Sequence, residues 1–157
     1  MTIRRLEDRD AQAVSDLIAL TLRTTNRRDY SEEYLEDCIV HLQPEDIIRR
    51  AGEQHFYVVE EEHQIIGCGS IGSYWGKEDE SSLFTIFVHP AYQGRGIGRK
   101  IMETLEQDSY FLRARRVEIP ASITGTPFYR KMGYTYKNGV TEPDEEQLLR
   151  LEKVRVI

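Results

Sequence analysis

Residues 87–100 read FVHPAYQGRGIGRK, and this stretch decides the fold. A hydrophobic run ends at Pro90. Glycines then occupy every second position, Gly94, Gly96 and Gly98, with Arg95 and Arg99 between and behind them. Upstream, SSLFTIFV is almost continuously hydrophobic and reads as a central strand. Downstream, Ile97, Ile101 and Leu105 recur at fours and predict a helix from about Gly96 to Ser109. A strand that stops at a glycine-dense basic turn and passes into a helix has a physical use. The first turn of a helix leaves backbone N–H groups unpaired and carries partial positive charge. Glycine lets a ligand approach those groups closely, which makes the turn suited to phosphate.

Spacing excludes two familiar phosphate motifs. A P-loop ends in Gly-Lys-Ser/Thr, whereas Gly98 is followed by Arg99 and Lys100. A dinucleotide fingerprint needs Gly three residues after Gly96, where Arg99 stands. The remaining readings are a phosphate ligand of another kind or a glycine-rich connection with no ligand.

On both sides of this stretch the hydrophobic period changes. TIRRL (2–6) alternates as a short strand, and Asp8 or Asp10 caps the helix after it. Val14, Leu17, Ile18 and Thr21 share one face of that helix, which fades near TTNRRDYS. Ser31 opens a second helix. Pro44 opens a third, ending at Gly52. HFYVVEE and QIIGCGSIG then form a hairpin around EEHQ. After the glycine turn come the strand RRVEIPA and a short helix over 125–132, with Pro127 early and Gly133 as its stop. YTYKNGV and LLRLEKVRV close the chain as antiparallel strands. These elements in this order predict an α/β (α+β) fold over residues 1–157 as one domain. Its mixed central sheet has about six to seven strands flanked by helices.

Composition narrows the classes. The chain has 157 residues, enough to bury a real core. Its net charge of −6 argues against a general nucleic-acid binder. No apolar run reaches the length of a membrane span, and MTIRRLEDRD lacks the apolar core of a signal peptide, so a cytoplasmic protein is expected. Cys38, Cys68 and the histidines show no metal-ligand spacing, and no metal is expected.

FVHPAYQGRGIGRKIMETL resembles the signature of the GNAT superfamily of N-acetyltransferases, filled here by Gln93, Gly94, Arg95, Gly96, Ile97 and Gly98, with Val88 and Pro90 ahead of it. ASITGTPFYRKMGY resembles the family's Phe-Tyr segment, and LRLEK its closing residues. The resemblance implies a cofactor, acetyl-CoA, and an amine acceptor. It implies that residues 93–99 (with Arg99) hold the pyrophosphate and that the backbone of Ile86, Phe87 and Val88 bonds the pantetheine arm. It implies that Tyr129 is the acid that protonates the departing thiolate. Tyr129 also reads as a core aromatic. Phe128 and Lys131 would lie along the cofactor. Ser122 stands where many members have a pantetheine-binding Asn, and Thr124 follows it. A small bacterial subgroup pairs an Asn-x-x-Asp-Tyr-Ser run (Asn26, Asp29, Tyr30, Ser31) with Ala-Ser-x-Thr (Ala121, Ser122, Thr124). The first run is implied to border the acceptor pocket. Homodimers are frequent in the family.

The same resemblance leaves the general base open. SSLFTIFV has no carboxylate, where many members carry one on the fourth strand. Glu78, Asp79, Glu80 and Glu118 are candidates. Tyr74 and Trp75 read as acceptor-pocket residues or as a lid over the core. Arg27 and Arg28 read as a carboxylate-binding pair or as solvated charges. Backbone N–H groups near Val88 are placed to polarise the thioester oxygen. The expected activity is N-acetyl transfer to a primary amine. The competing reading is a non-catalytic acyl-CoA-binding module of the same fold.

Overall fold

A computed structural model describes residues 1–156. Seven strands form one sheet in the order β1-β2-β3-β4-β5-β7-β6. They are β1 (Thr2–Arg5), β2 (His55–Glu61), β3 (Gln64–Ser73), β4 (Glu80–Val88), β5 (Arg116–Ser122), β6 (Thr135–Tyr136) and β7 (Leu148–Val154). Only β4 and β5 are parallel; the other neighbours are antiparallel. Helices α1 (Ala11–Thr24), α2 (Glu32–Val40) and α3 (Pro44–Glu53) precede β2. Helices α4 (Ile97–Leu105) and α5 (Ser109–Leu112) cross from β4 to β5, and α6 (Thr126–Lys131) follows β5.

The expected helix face is buried: Val14, Leu17, Ile18 and Thr21 of α1 all lie inside. Ser31 caps α2, its hydroxyl accepting from the Tyr34 N–H at 3.1 Å. The β2–β3 hairpin turns on Glu62 and His63, both at positive φ, the conformation that matches strand twist in a two-residue turn. One core lies between the sheet and α4–α6 and includes Ile66, Leu83, Ile101, Met102 and Leu105. A second lies between the sheet and α1–α3 and includes Val14, Ile18, Leu35, Ile47 and Phe56. Gly69 on β3 sets how closely α4 approaches, because a Cβ there would stand 2.8 Å from Ile101 Cγ2.

Four boundaries differ from expectation. The α4 helix stops at Leu105, and Asp108 caps a new turn by accepting from the Tyr110 N–H at 2.8 Å. An Asp side chain competes with helix propagation in this way. Gly52 lies inside α3, which ends where Gln54 becomes extended. YTYKNGV supplies only two strand residues, because Asn138 turns left-handed after them. Finally, β4 begins at Glu80, so the strand does hold a carboxylate, at its first residue.

That carboxylate belongs to the closed end of a split in the sheet. Strands β4 and β5 pair only at Glu80↔Arg116, Ser81↔Val117 and Ser82↔Glu118. Arg116 ties this end together, reaching Glu80 at 2.9 Å, Glu118 at 3.2 Å and Glu152 at 3.0 Å. Beyond Ser82 the strands part, and from Leu83 to Val88 β4 keeps its pairing with β3 while its edge toward β5 has no strand partner among the described residues.

Candidate active site

The split opens into a cavity of about 570 Å³ that passes through the sheet. Gly94, Gly96, Gly98, Phe128 and Tyr129 wall it on the α4–α6 side. Leu22, Asn26, Tyr30, Tyr34 and Leu35 wall it on the α1–α2 side. Of the residues expected at a cofactor site, it brings together Ile86, Phe87, Val88, Gln93, Gly94, Gly96, Ile97, Gly98, Arg99, Ser122, Thr124, Phe128 and Tyr129. Two are not brought in. Arg95 turns onto the Tyr92 ring, 5.0 Å from its centroid, and stands 3.9 Å from Glu61. Lys131 points to solvent from α6.

The glycines of the turn have separate reasons. Gly94 (φ 78°) and Gly96 (φ 79°) are left-handed, a conformation that strains any residue with a Cβ. A Cβ at either would meet nothing within 4 Å, so both face open space. Gly98 is packed instead: its Cβ would stand 3.1 Å from Phe128 Cζ. Gly96 caps α4, and the first intrahelical bond runs from the Lys100 N–H to the Gly96 carbonyl at 3.1 Å. The N–H groups of Ile97, Gly98 and Arg99 are therefore left without helical acceptors, beside an open cradle. Gln93 holds the turn to α1 through a 3.0 Å bond from Nε2 to Thr25 Oγ1.

Tyr129 is almost wholly buried, and its hydroxyl has no protein partner among the described residues. Burial pushes its pKa well above the usual phenol value, with a smaller contribution from Cys68. The phenol therefore stays protonated throughout the neutral range. Cys68 itself is fully buried on β3; its thiol donates to the Thr85 carbonyl at 3.3 Å and is pushed up to about 12 by burial. Thr85 lines the cavity at φ 55°, in a bulge where β4 shifts register against β3. Ser122 Oγ accepts from the Gly125 N–H at 2.9 Å, so its proton remains free to donate.

The run expected to border the acceptor pocket (Asn26 to Ser31) and the Ala-Ser-x-Thr run meet across 95 residues of chain. Thr124 Oγ1 donates to Asp29 Oδ2 at 2.6 Å. The Tyr30 hydroxyl accepts from the Ile123 N–H at 2.8 Å and donates to the Gln147 carbonyl at 2.7 Å. Sequence reading missed Tyr34, Leu35, Cys38 and Leu42 of the α2 segment, and Leu148 at the start of β7. The four-residue spacing of Tyr30, Tyr34 and Cys38 was the available signal.

No carboxylate among the described residues lines the cavity. The expected base candidates lie elsewhere. Asp79 pairs with Arg115 at 2.7 Å, Glu80 with Arg116, and Glu118 with Lys137 at 2.8 Å, all toward the closed end of the split. Glu78 does not line it either. Tyr74 lies beneath the Arg116 guanidinium, 4.8 Å from its ring centroid, and Trp75 is 84% exposed, so neither walls the cavity or lids the core. The reason is topological: residues 74–79 join the start of β4, whereas the cavity opens at its end. Arg28 does reach the cavity wall and lies 3.4 Å from Asp29; Arg27 does not line it. Among the described residues there is no group of His, Cys, Asp and Glu arranged to hold a metal ion. No helix among them is long and apolar enough to cross a membrane.

The family model for an acetyltransferase (GNAT) domain matches residues 52–136, which run from the end of α3 through the glycine turn to β6. The chain belongs to the GNAT acetyltransferase family. An amino-acid acetyltransferase of Mycobacterium tuberculosis is 32% identical over 89 residues, covering 55% of this chain and 49% of that protein. The chain thus spans about half the length of that curated relative. Among solved family structures, the PaiA N-acetyltransferase of Thermoplasma acidophilum, in complex with coenzyme A, superposes with a TM-score of 0.82 at 19% identity over 98% of both chains. A GNAT family acetyltransferase from Brucella melitensis, in complex with acetyl-CoA, gives a TM-score of 0.65 at 22% identity, covering 96% of this chain and 86% of that one. At these identities the likeness concerns the fold.

Proposed function

We propose that this chain is an N-acetyltransferase that carries an acetyl group from acetyl-CoA to a primary amine. One observation carries the reading: the unpaired edge of β4 runs directly into the open cradle of Gly94 and Gly96, with the Tyr129 hydroxyl in the same cavity. Two fold neighbours bound to coenzyme A or acetyl-CoA support it. The free N–H groups of residues 97–99 and the Arg99 guanidinium suit a pyrophosphate. The backbone of Ile86 to Val88 suits an amide-bearing arm laid along it as an added strand. Arg95 and Lys131 are given no part.

Acetyl-CoA supplies an activated carbonyl and a thiol leaving group. The chain supplies position, a proton and desolvation. Tyr129 holds its proton at Oη on the cavity wall, where it stabilises developing charge on sulfur. A backbone N–H near Val88 would polarise the carbonyl oxygen of a thioester laid along this edge. With no carboxylate lining the cavity among the described residues, the amine would react as the free base. Burial away from negative charge favours that neutral form. The proton its nitrogen sheds as the C–N bond forms would pass to solvent, and the thiolate released as the C–S bond breaks would be protonated from Tyr129, which regains its proton from solvent.

The missing carboxylate also supports a second reading, a non-catalytic acyl-CoA-binding module. Release of free thiol from acetyl-CoA with a panel of amines separates the two. Tight coenzyme A binding without release from any amine would leave the module reading standing.

A further inference from the structure

We infer that the α1–α2 end of the cavity takes an acceptor with a single amine and an apolar body, and disfavours polyamines and other acceptors carrying a second cation. The inference rests on the acetyltransferase reading above and names the acceptor class for that same site.

The wall at this end consists of Tyr30, Tyr34, Leu35, Cys38, Leu42 and Leu148. The two tyrosine rings are stacked, with centroids 4.6 Å apart and planes within 11°. Their polar tips are committed to the backbone. Tyr30 bonds the Gln147 carbonyl and the Ile123 N–H, and Tyr34 donates to the Glu146 carbonyl at 2.6 Å. Rings and aliphatic groups are therefore what this wall offers a ligand, a surface suited to an aromatic or branched aliphatic body. The Cys38 thiol is raised by burial and stays neutral.

The charges point the same way. Among the described residues, Arg28 and Arg99 are the charged ones lining the cavity, and both are cations. Asp29, beside the rim, is already engaged by Thr124 and Arg28. A second ammonium would lose its water here without gaining a counter-charge, a strongly unfavourable exchange. A single amine avoids this by entering neutral. Asn26 is buried on the same wall, and its amide has no protein partner among the described residues. Its carbonyl oxygen is free to accept from the amine N–H.

The test uses the full chain saturated with coenzyme A, its melting temperature, and three probes: 2-phenylethylamine, phenylalanine and spermidine. Either monoamine should raise the melting temperature at a concentration about tenfold or more below that needed for spermidine. A lead for phenylalanine would add that Arg28 accepts a carboxylate; a lead for 2-phenylethylamine would mean that it does not. Spermidine acting as well or better would overturn the inference, as would no shift from any probe. Leu148→Glu places a carboxylate on this wall and should improve the spermidine response about tenfold. An unchanged spermidine response, with the coenzyme A shift intact, would overturn the placing of the amine here. If Leu148→Glu does not fold, the comparison of probes on the unmodified chain decides. Failure of coenzyme A itself to raise the melting temperature would overturn the donor reading and this inference with it. That outcome differs from a coenzyme A shift followed by the wrong order of amines.

Discussion

Thr124 donates a 2.6 Å hydrogen bond to Asp29, closing the cavity rim between the loop after β5 and the turn after α1. The bond is to a charged acceptor and partly buried, a setting in which hydrogen bonds contribute about 1.5–3 kcal/mol before solvent screening. Thr124→Val keeps the shape and removes the donor. It should lower the melting temperature by a few degrees and raise the Michaelis constant for the amine more than that for acetyl-CoA. Equal effects on both substrates would show that the rim does not serve the acceptor end.

Gly96 tests the cradle. Its left-handed φ of 79° strains a β-carbon by roughly 1–2 kcal/mol, so Gly96→Ala should cost stability modestly while space for the ligand remains. Gly96→Asp adds negative charge beside the free N–H groups of α4. Coenzyme A should no longer raise the melting temperature of the Asp variant, and should still raise that of the Ala variant. A retained shift in Gly96→Asp would move the phosphate site elsewhere.

The glycine-turn end of the candidate site was legible as a local structure because its parts are consecutive in sequence. Strand, stop, glycines and helix occupy residues 83–105, and each leaves a local mark: hydrophobic run, Pro90, positive-φ glycines, fours periodicity. The α1–α2 end of the cavity was only partly legible. Its wall gathers Tyr34, Leu35, Cys38 and Leu42 from one helical segment and Leu148 from a distant strand, and long-range packing leaves no local signature. The expectation for Tyr74 and Trp75 failed because a loop's composition does not say which end of the strand it joins. Glu80 escaped notice as a strand residue because its β4 pairing is held by Arg116, a partner 36 positions away. Arg95 and Arg99 are equivalent in the motif, yet one lines the cavity and the other lies on Tyr92.

Tyr129→Phe removes a hydroxyl that has no protein partner among the described residues, so its stability cost should be small. If the phenol stabilises the leaving thiolate, turnover should fall by about 10²-fold or more. The melting shift given by coenzyme A should persist. Turnover within about twofold of the unmodified chain would remove Tyr129 from the chemistry and return it to a packing role.

The pH profile follows from the acceptor amine and Tyr129. An amine with an ordinary pKa near 10 is about one part in a thousand neutral at pH 7. Because no carboxylate among the described residues lines the cavity to serve as base, kcat/KM should rise nearly tenfold per pH unit from 7 toward 9. The opposing limb belongs to loss of the Tyr129 proton. Burial raises that pKa, so the limb moves to higher pH, and no fall in rate should appear up to pH 10. An amine of lower pKa should shift the plateau down by the same amount, since the rising limb reports the acceptor. A plateau fixed near pH 7 for every amine would instead reveal an enzyme base, and the carboxylate-free mechanism would fail.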